Sequence, residues 1–367
     1  MGTSGKETIT RKETEKKPIY TLEDFVATFT HRQELYVKYR KSIEYRAKGM
    51  KCSDIARELR TTQSNIHRWV NCEHVPFIER DLRVLEDFGL YPLYFDNPHL
   101  PLVAILTAWL TGDGHISRGI HDITFYEEHR DSLDNLAKSL QIHFPHLRIS
   151  NVKKQGCGNS YRLRVFNPAL AHFFVVLGVP AGNKSEAPFQ VPQFVLNGSD
   201  EVKRNYIGTI ICCEGSTPKI AKKHSGNAIG FSLSKVESLE KEHIEYMERL
   251  RGLLSEFGIM TSEVRKIKTA SSDNPMYRFY IDSRAGNLMK FFDKISLEYF
   301  PNKQRGKEEV LEALNYHIER IELYHKALVL SADGKTATEI SKKLGVPRPT
   351  VSCWINRKFK PATIYEE

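Results

Sequence analysis

Two stretches 101 residues apart constrain this chain more than any other feature. Ile105 to Ser117 reads ILTAWLTGDGHIS, and Tyr206 to Thr217 reads YIGTIICCEGST. Each is an apolar run rich in small residues that ends in a carboxylate followed by glycine, Asp113–Gly114 in the first and Glu214–Gly215 in the second. About ten such residues make a helix roughly 15 Å long. Small side chains at 107, 108, 111 and 112, and at 208, 209, 212 and 213, let two such helices approach closely. Their terminal carboxylates then meet at helix ends that already carry partial negative charge, so a divalent cation is the natural partner. Mg²⁺ takes one or two carboxylates while keeping waters, which suits phosphoryl transfer. The spacing leaves room for a small domain between the copies, and duplication is the simplest explanation.

The pattern between and after the motifs alternates short strands with helices. In the first half an apolar run ends in Phe125-Tyr126, a helix is expected over 128–143, strands over 147–152 and 161–166, and a helix over 168–177. In the second half Ile229, Phe231 and Leu233 alternate as in a half-buried strand. A long amphipathic helix over 236–257, strands over 263–268 and 277–281, and a closing helix over 285–295 follow.

At this point the residues resemble the LAGLIDADG homing endonucleases in their single-chain, two-motif form. Leu106 to Gly114 aligns with the name motif without a gap, and so does Ile207 to Gly215. Thr111 and Cys212 stand where the motif has its first acid, and Trp109 is larger than usual there. The resemblance implies an α+β fold of two αββαββα repeats related by pseudo-twofold symmetry, over 100–192 and 193–305. It also implies Mg²⁺-dependent hydrolysis of phosphodiesters in double-stranded DNA, with Asp113 and Glu214 as catalytic and metal-binding carboxylates. Family members place a lysine after each repeat's last helix, which assigns Lys184 to the first half and Lys303 to the second. A monomer is expected, because both half-sites lie in one chain, with no obligate protein partner.

Beyond the core, Ser53 to Leu59 and Ser64 to Val70 read as helix, tight turn, helix, the DNA-reading pattern. Ser53 is the expected helix cap. Thr338 to Ile355 repeats the pattern 285 residues later, pairing Gly49 with Gly334, Ile55 with Ile340, Leu59 with Leu344, Ile66 with Val351, Trp69 with Trp354 and Pro76 with Pro361. All-α helix-turn-helix domains are therefore expected over 18–90 and 320–367, after a disordered polar tail over 1–17. Gln63, Asn65, His67 and Arg68 in the first, and Arg348, Thr350 and Ser352 in the second, are the candidates to contact base edges and phosphates.

Strand alternation adds a basic surface to the core. If Leu163 and Val165 face the helices, Arg162 and Arg164 face away, and Arg278 does so in the other half. Lys222, Lys223, Lys266 and Lys268 are expected to join them as phosphate contacts. The net charge of +9 among 367 residues agrees with a polyanionic partner.

Composition bounds the rest. A hydrophobic content of 40% and a mean hydropathy of −0.43 indicate a soluble, globular chain with no membrane association, and its location is expected to be cytoplasmic. The six cysteines form no C-x-x-C pair, so neither a zinc site nor a disulfide framework is expected. The chain does not begin with an intein's nucleophile or end in His-Asn, so it is expected to stand alone. Two other readings remain open: a non-cleaving DNA-binding regulator resembling the WhiA family, and an RNA-splicing maturase.

Overall fold

The computed structural model describes residues 17–30, 32–72, 74–155, 159–218, 229–267 and 274–356. Its contacts divide the chain into two compact units, 1–100 and 101–367.

The first unit is helical, with α1 (Leu22–Ala27), α2 (Gln33–Ala47), α3 (Cys52–Glu58), α4 (Gln63–Asn71) and α5 (Phe77–Asp87). Thr21 and Asp24 form a reciprocal capping box at the start of α1. The cap of α3 is Lys51, which makes no side-chain cap bond, so Ser53 lies inside the first turn and does not cap it. Thr62 caps α4 by accepting from the Asn65 amide. Tyr36 and Tyr39 from α2, Ile55 and Ala56 from α3, and Ile66 and Trp69 from α4 are buried together in the unit's core.

The second unit begins on α6 (Leu100–Thr111), which is almost wholly buried. Next come β1 (Gly114–Ile116), β2 (Ile123–Glu127), α7 (Arg130–His143), β3 (Lys153–Lys154), β4 (Tyr161–Val165) and α8 (Pro168–Val176). The four strands form an antiparallel sheet in the order β1-β2-β4-β3. The strand expected over 147–152 is reduced to one bridge, Ile149 to Val165, and the regular pairing falls on Lys153–Lys154 instead.

After α9 (Gln193–Leu196) comes α10 (Asp200–Glu214), capped by Ser199. Then follow β5 (Ile229–Ser234), a short 3-10 turn, α11 (Glu240–Glu256), β6 (Arg265–Ile267), β7 (Met276–Ile281) and α12 (Ala285–Lys294). These strands form a sheet in the order β5-β7-β6. A bridge from Gly215 to Phe231 repeats the pairing of Gly114 with Phe125 in the first sheet.

A 32-residue helix, α13 (Pro301–Ala332), leads from the core to α14 (Ala337–Leu344) and α15 (Arg348–Ile355). Tyr324 and Ala327 of α13 pack with Ile340, Val351 and Trp354. The terminal helical groups match in detail. Tyr39 and Trp69 meet edge to face at 6.1 Å and 89°, and Tyr324 and Trp354, each 285 residues on, meet at 5.9 Å and 90°. Gly49 and Gly334 both take left-handed φ values, +85° and +80°. The turn after the next helix is left-handed in both copies too, at Gly345 (φ 67°) and at Arg60 (φ 47°), a side chain where glycine is favoured.

Candidate functional site

The centre of the second unit is the contact between α6 and α10. Small residues allow it, since a Cβ placed on Gly112 would lie 2.5 Å from that of Cys213. Asn205 near the start of α10 reaches the Pro101 carbonyl at the start of α6 (3.5 Å), so the helices run side by side in the same direction and deliver Asp113 and Glu214 to one place. Trp109 departs from the motif without disturbing this contact. It is fully buried, 4.5 Å from the Phe300 ring by centroids, and its indole N–H donates to the Tyr126 carbonyl (3.3 Å).

The two carboxylates are desolvated and repel one another. Asp113 is pushed up to about 7, by burial first, then by the charges of Glu214 and Glu127, against the pull of Lys184 and Lys303. Glu214 is also raised by burial, with Lys184 and Lys235 opposing the shift. Each sequence-assigned lysine meets a helix end. Lys184 Nζ donates to the carbonyls of Leu110 (3.3 Å), Thr111 (3.2 Å) and Gly112 at the end of α6. Lys303 Nζ donates to the Gly215 carbonyl after α10 (2.7 Å). Ammonium groups at helix C-termini offset the negative dipole end, which is how this chain tolerates two acids there.

Two members of the cluster were missed in the sequence. Glu127 ends β2, and the pairing of Gly114 with Phe125 carries it to the level of Gly112. Its Oε1 accepts the Glu128 and His129 amides, and burial raises its pKa. Lys235 follows β5 and is 4% exposed. Its Nζ donates to the carbonyls of Lys184 and Ala187 and lies 3.7 Å from the Phe189 ring centroid; burial lowers its pKa to about 8. The legible signal for Glu127 was its place two residues beyond Phe125. For Lys235 there was none, because its partners are main-chain atoms some fifty residues away.

A cleft of about 710 Å³ opens over this centre, lined by Thr111, Lys184, Glu214, Lys235, Arg278 and Tyr280 among others. Among the described residues no group of three or more His, Cys, Asp or Glu side chains is placed to hold a metal ion. Asp113 and Glu214 still fit a hard divalent cation. They offer the oxygen ligands that such an ion takes, and Mg²⁺ needs only one or two carboxylates alongside its waters.

The strand faces sort the proposed basic contacts. On β4, Leu163 and Val165 are buried while Arg162 and Arg164 are exposed. On β7, Tyr277, Phe279 and Ile281 are buried while Arg278 and Tyr280 face outward. Lys266 is exposed as well, but it stands opposite the buried Tyr277. Its Nζ is bonded to Glu240 of α11 at 3.2 and 3.3 Å. Arg265, opposite Arg278, is exposed on the face that Arg278 occupies. Lys222, Lys223 and Lys268 lie outside the described residues.

On α4, Gln63, His67 and Arg68 are exposed and Asn65 is half-buried, donating to Thr61 Oγ1 (3.3 Å). Arg68 contacts His74 (3.2 Å), and His67 contacts Cys72 Sγ (3.6 Å). On α15, Arg348 is exposed, and Thr350 and Ser352 are half-buried.

Residues 319–360 match the homeodomain-like domain family. The chain is 29% identical over 302 residues to the tRNA-splicing ligase RtcB of Methanopyrus kandleri, covering 78% of this chain and 29% of that protein. It is 24% identical to the replication factor C small subunit of Methanocaldococcus jannaschii, covering 79% of this chain and 16% of that protein. The chain thus spans less than a third of the length of either. Among solved structures, the homing endonuclease I-DmoI is similar at 14% identity and a TM-score of 0.38, over 54% of this chain and 96% of that one. WhiA from Thermatoga maritima is similar at 11% identity and a TM-score of 0.36, over 75% of this chain and 94% of that one. Among the described residues no helix is long and apolar enough to cross a membrane.

Proposed function

We propose that this chain is a site-specific, divalent-metal-dependent DNA endonuclease of the homing type, acting as a monomer through two pseudo-symmetric repeats over 100–192 and 193–305. The observation that carries this reading is the meeting of Asp113 and Glu214 at the ends of two close-packed helices, each end bonded by a lysine from outside the motif. Asp113 and Glu214 would hold the metal, Mg²⁺ in our reading, which when bound supplies charge stabilisation and an acidified water. The protein's own groups do the rest. Lys184 and Lys303 fix the helix ends and place positive charge beside the reacting phosphate, and the outward arginines of the two sheets grip the duplex.

Matches to other proteins support a module of this kind. The chain matches 29% of the length of a tRNA-splicing ligase and 16% of that of a replication factor subunit, and we read a stretch that recurs in two differently named proteins as a module with its own activity. A mobile insert encoding its own nuclease accounts for such a distribution. The homeodomain-like match at 319–360 supports DNA reading by the segment over 320–367, and the matched Tyr–Trp pairs extend that proposal to 18–90.

A second reading, a non-cleaving regulator, draws on one observation: Lys184 and Lys303 are already committed to main-chain carbonyls. Footprinting of the purified protein on genomic fragments, with and without Mg²⁺, separates the two. A protected site that is cut only with metal supports the nuclease. Protection that never leads to cutting supports the regulator.

A further inference from the structure

The open face of the first sheet carries an ion pair that phosphate binding does not explain. Arg164 donates from Nε to Asp122 Oδ2 at 2.8 Å and from Nη2 to Oδ1 at 2.9 Å. The Asp122 side chain is 9% exposed and that of Arg164 44%, so the carboxylate sits beneath a guanidinium that reaches solvent. The same guanidinium lies 4.7 Å from the Phe166 ring centroid, and Phe166 is 50% exposed. The Arg164 backbone is fixed as well, with its amide donating to Ser150 Oγ (3.0 Å) and its carbonyl accepting from the Ser150 amide (2.8 Å).

Arg148, Lys153 and Arg162 stand exposed along the same stretch of sheet. A carboxylate among them weakens attraction for phosphates, because the Asp122–Arg164 pair is neutral. What the pair supplies is orientation. A side-on pair through Nε and Nη2 leaves the opposite edge free, with one N–H from Nη1 and one from Nη2 side by side. That edge matches the O6 and N7 acceptors of guanine in the major groove. Arg278 in the other sheet is held instead by neutral partners, Tyr280 Oη (3.2 Å) and Met276 Sδ (3.6 Å).

We propose that Arg164 is a specificity-determining residue that reads a guanine through its free Nη1/Nη2 edge, and that Asp122 and Phe166 are the positioning residues that aim it. The proposal rests on the DNA-binding part of the function above and not on cleavage.

The test is selection from a randomised duplex library. Dissociation constants are then measured for the selected duplex, for single-pair variants of it and for random duplex, at two salt concentrations. For the wild-type chain, replacing one G·C pair is expected to weaken binding about tenfold. In Arg164→Lys and in Asp122→Asn that penalty falls to less than about threefold, since neither presents a fixed two-point edge. Random duplex binds Arg164→Lys with an unchanged salt slope, because the charge is kept. It binds Asp122→Asn more tightly and more salt-dependently, because an anion is lost.

If every G·C penalty survives in both variants, the inference is wrong while the DNA reading stands. If the wild-type chain selects no duplex, both fall together. Should Asp122→Asn not fold, as judged by circular dichroism, Arg164→Lys still decides the matter.

Discussion

Gly112 and Cys213 stand so close that a Cβ on the glycine would lie 2.5 Å from that of the cysteine, with Cys213 Sγ at 3.2 Å and Ile210 Cδ1 at 3.3 Å. Neither neighbour is the far end of a long flexible chain, so the two helices hold their separation only while position 112 lacks a side chain.

Gly112→Ala should therefore push α6 and α10 apart and destabilise the second unit by about 1–3 kcal/mol, the usual range for overpacking. Thermal unfolding followed by circular dichroism checks this. An unchanged midpoint would mean that the crossing is looser than described.

Asp113→Asn and Glu214→Gln keep side-chain size but remove anionic oxygens, so each should lower cleavage of at least one strand by ~100-fold or more. Binding of the target duplex should survive in both. Lys184→Met and Lys303→Met should slow cleavage less. They should also lower the unfolding midpoint, because each leaves helix-end carbonyls without a donor at about 1 kcal/mol. Strand-specific end-labelled substrates separate these effects, and Ca²⁺ in place of Mg²⁺ should support binding with little turnover.

Arg60 occupies the left-handed turn where its counterpart 285 residues later is Gly345. Arg60→Gly should be neutral or stabilising by up to ~1 kcal/mol, and Gly345→Ala destabilising by about 1 kcal/mol. Denaturant midpoints for the two variants should move in these opposite senses.

Acid should weaken the fold through buried histidines. His243 is 2% exposed, neither ring nitrogen has a hydrogen-bond partner, and burial lowers its pKa from 6.5 to about 4. His172 shifts likewise, to about 4. For a base whose folded pKa is depressed, the unfolded chain takes up the proton first. Stability is then full above pH 6.5 and falls as pH drops toward 4. His243→Leu should remove about 1–2 kcal/mol of that pH-dependent loss, read as a smaller drop in unfolding midpoint between pH 7 and pH 5.

Deleting residues 1–90 or 320–367 should shorten the footprint and weaken binding by tenfold or more for each unit lost, on the order expected for one DNA-reading module. The core should still fold in both. Unchanged footprints for both truncations would remove the recognition role of the terminal helices.

Some features of this protein were decided by residue type and local spacing alone. Two apolar runs with small residues, each ending in an acid and a glycine, determine two buried helices that each close on a carboxylate. The period of two in Tyr161 to Val165 determines that Arg162 and Arg164 face outward, and the offset of 285 determines that Trp69 and Trp354 hold matching places in the two end groups. These follow from side-chain size, backbone period and the offsets between repeated stretches, all of which the sequence contains.

Tertiary structure decided the rest, because it depended on partners far along the chain. Lys266 carries a positive charge wherever it lies, but strand register turned it toward Glu240 and left the face of Arg278 to Arg265. Lys235 was unremarkable until folding brought it to the carbonyls of Lys184 and Ala187. Asp122 became a positioning group only when β2 and β4 paired and set it against Arg164, 42 residues away. A charge's role depends on its direction and its distance to other charges, and no local pattern contains either until the sheet registers and the helix crossing are set.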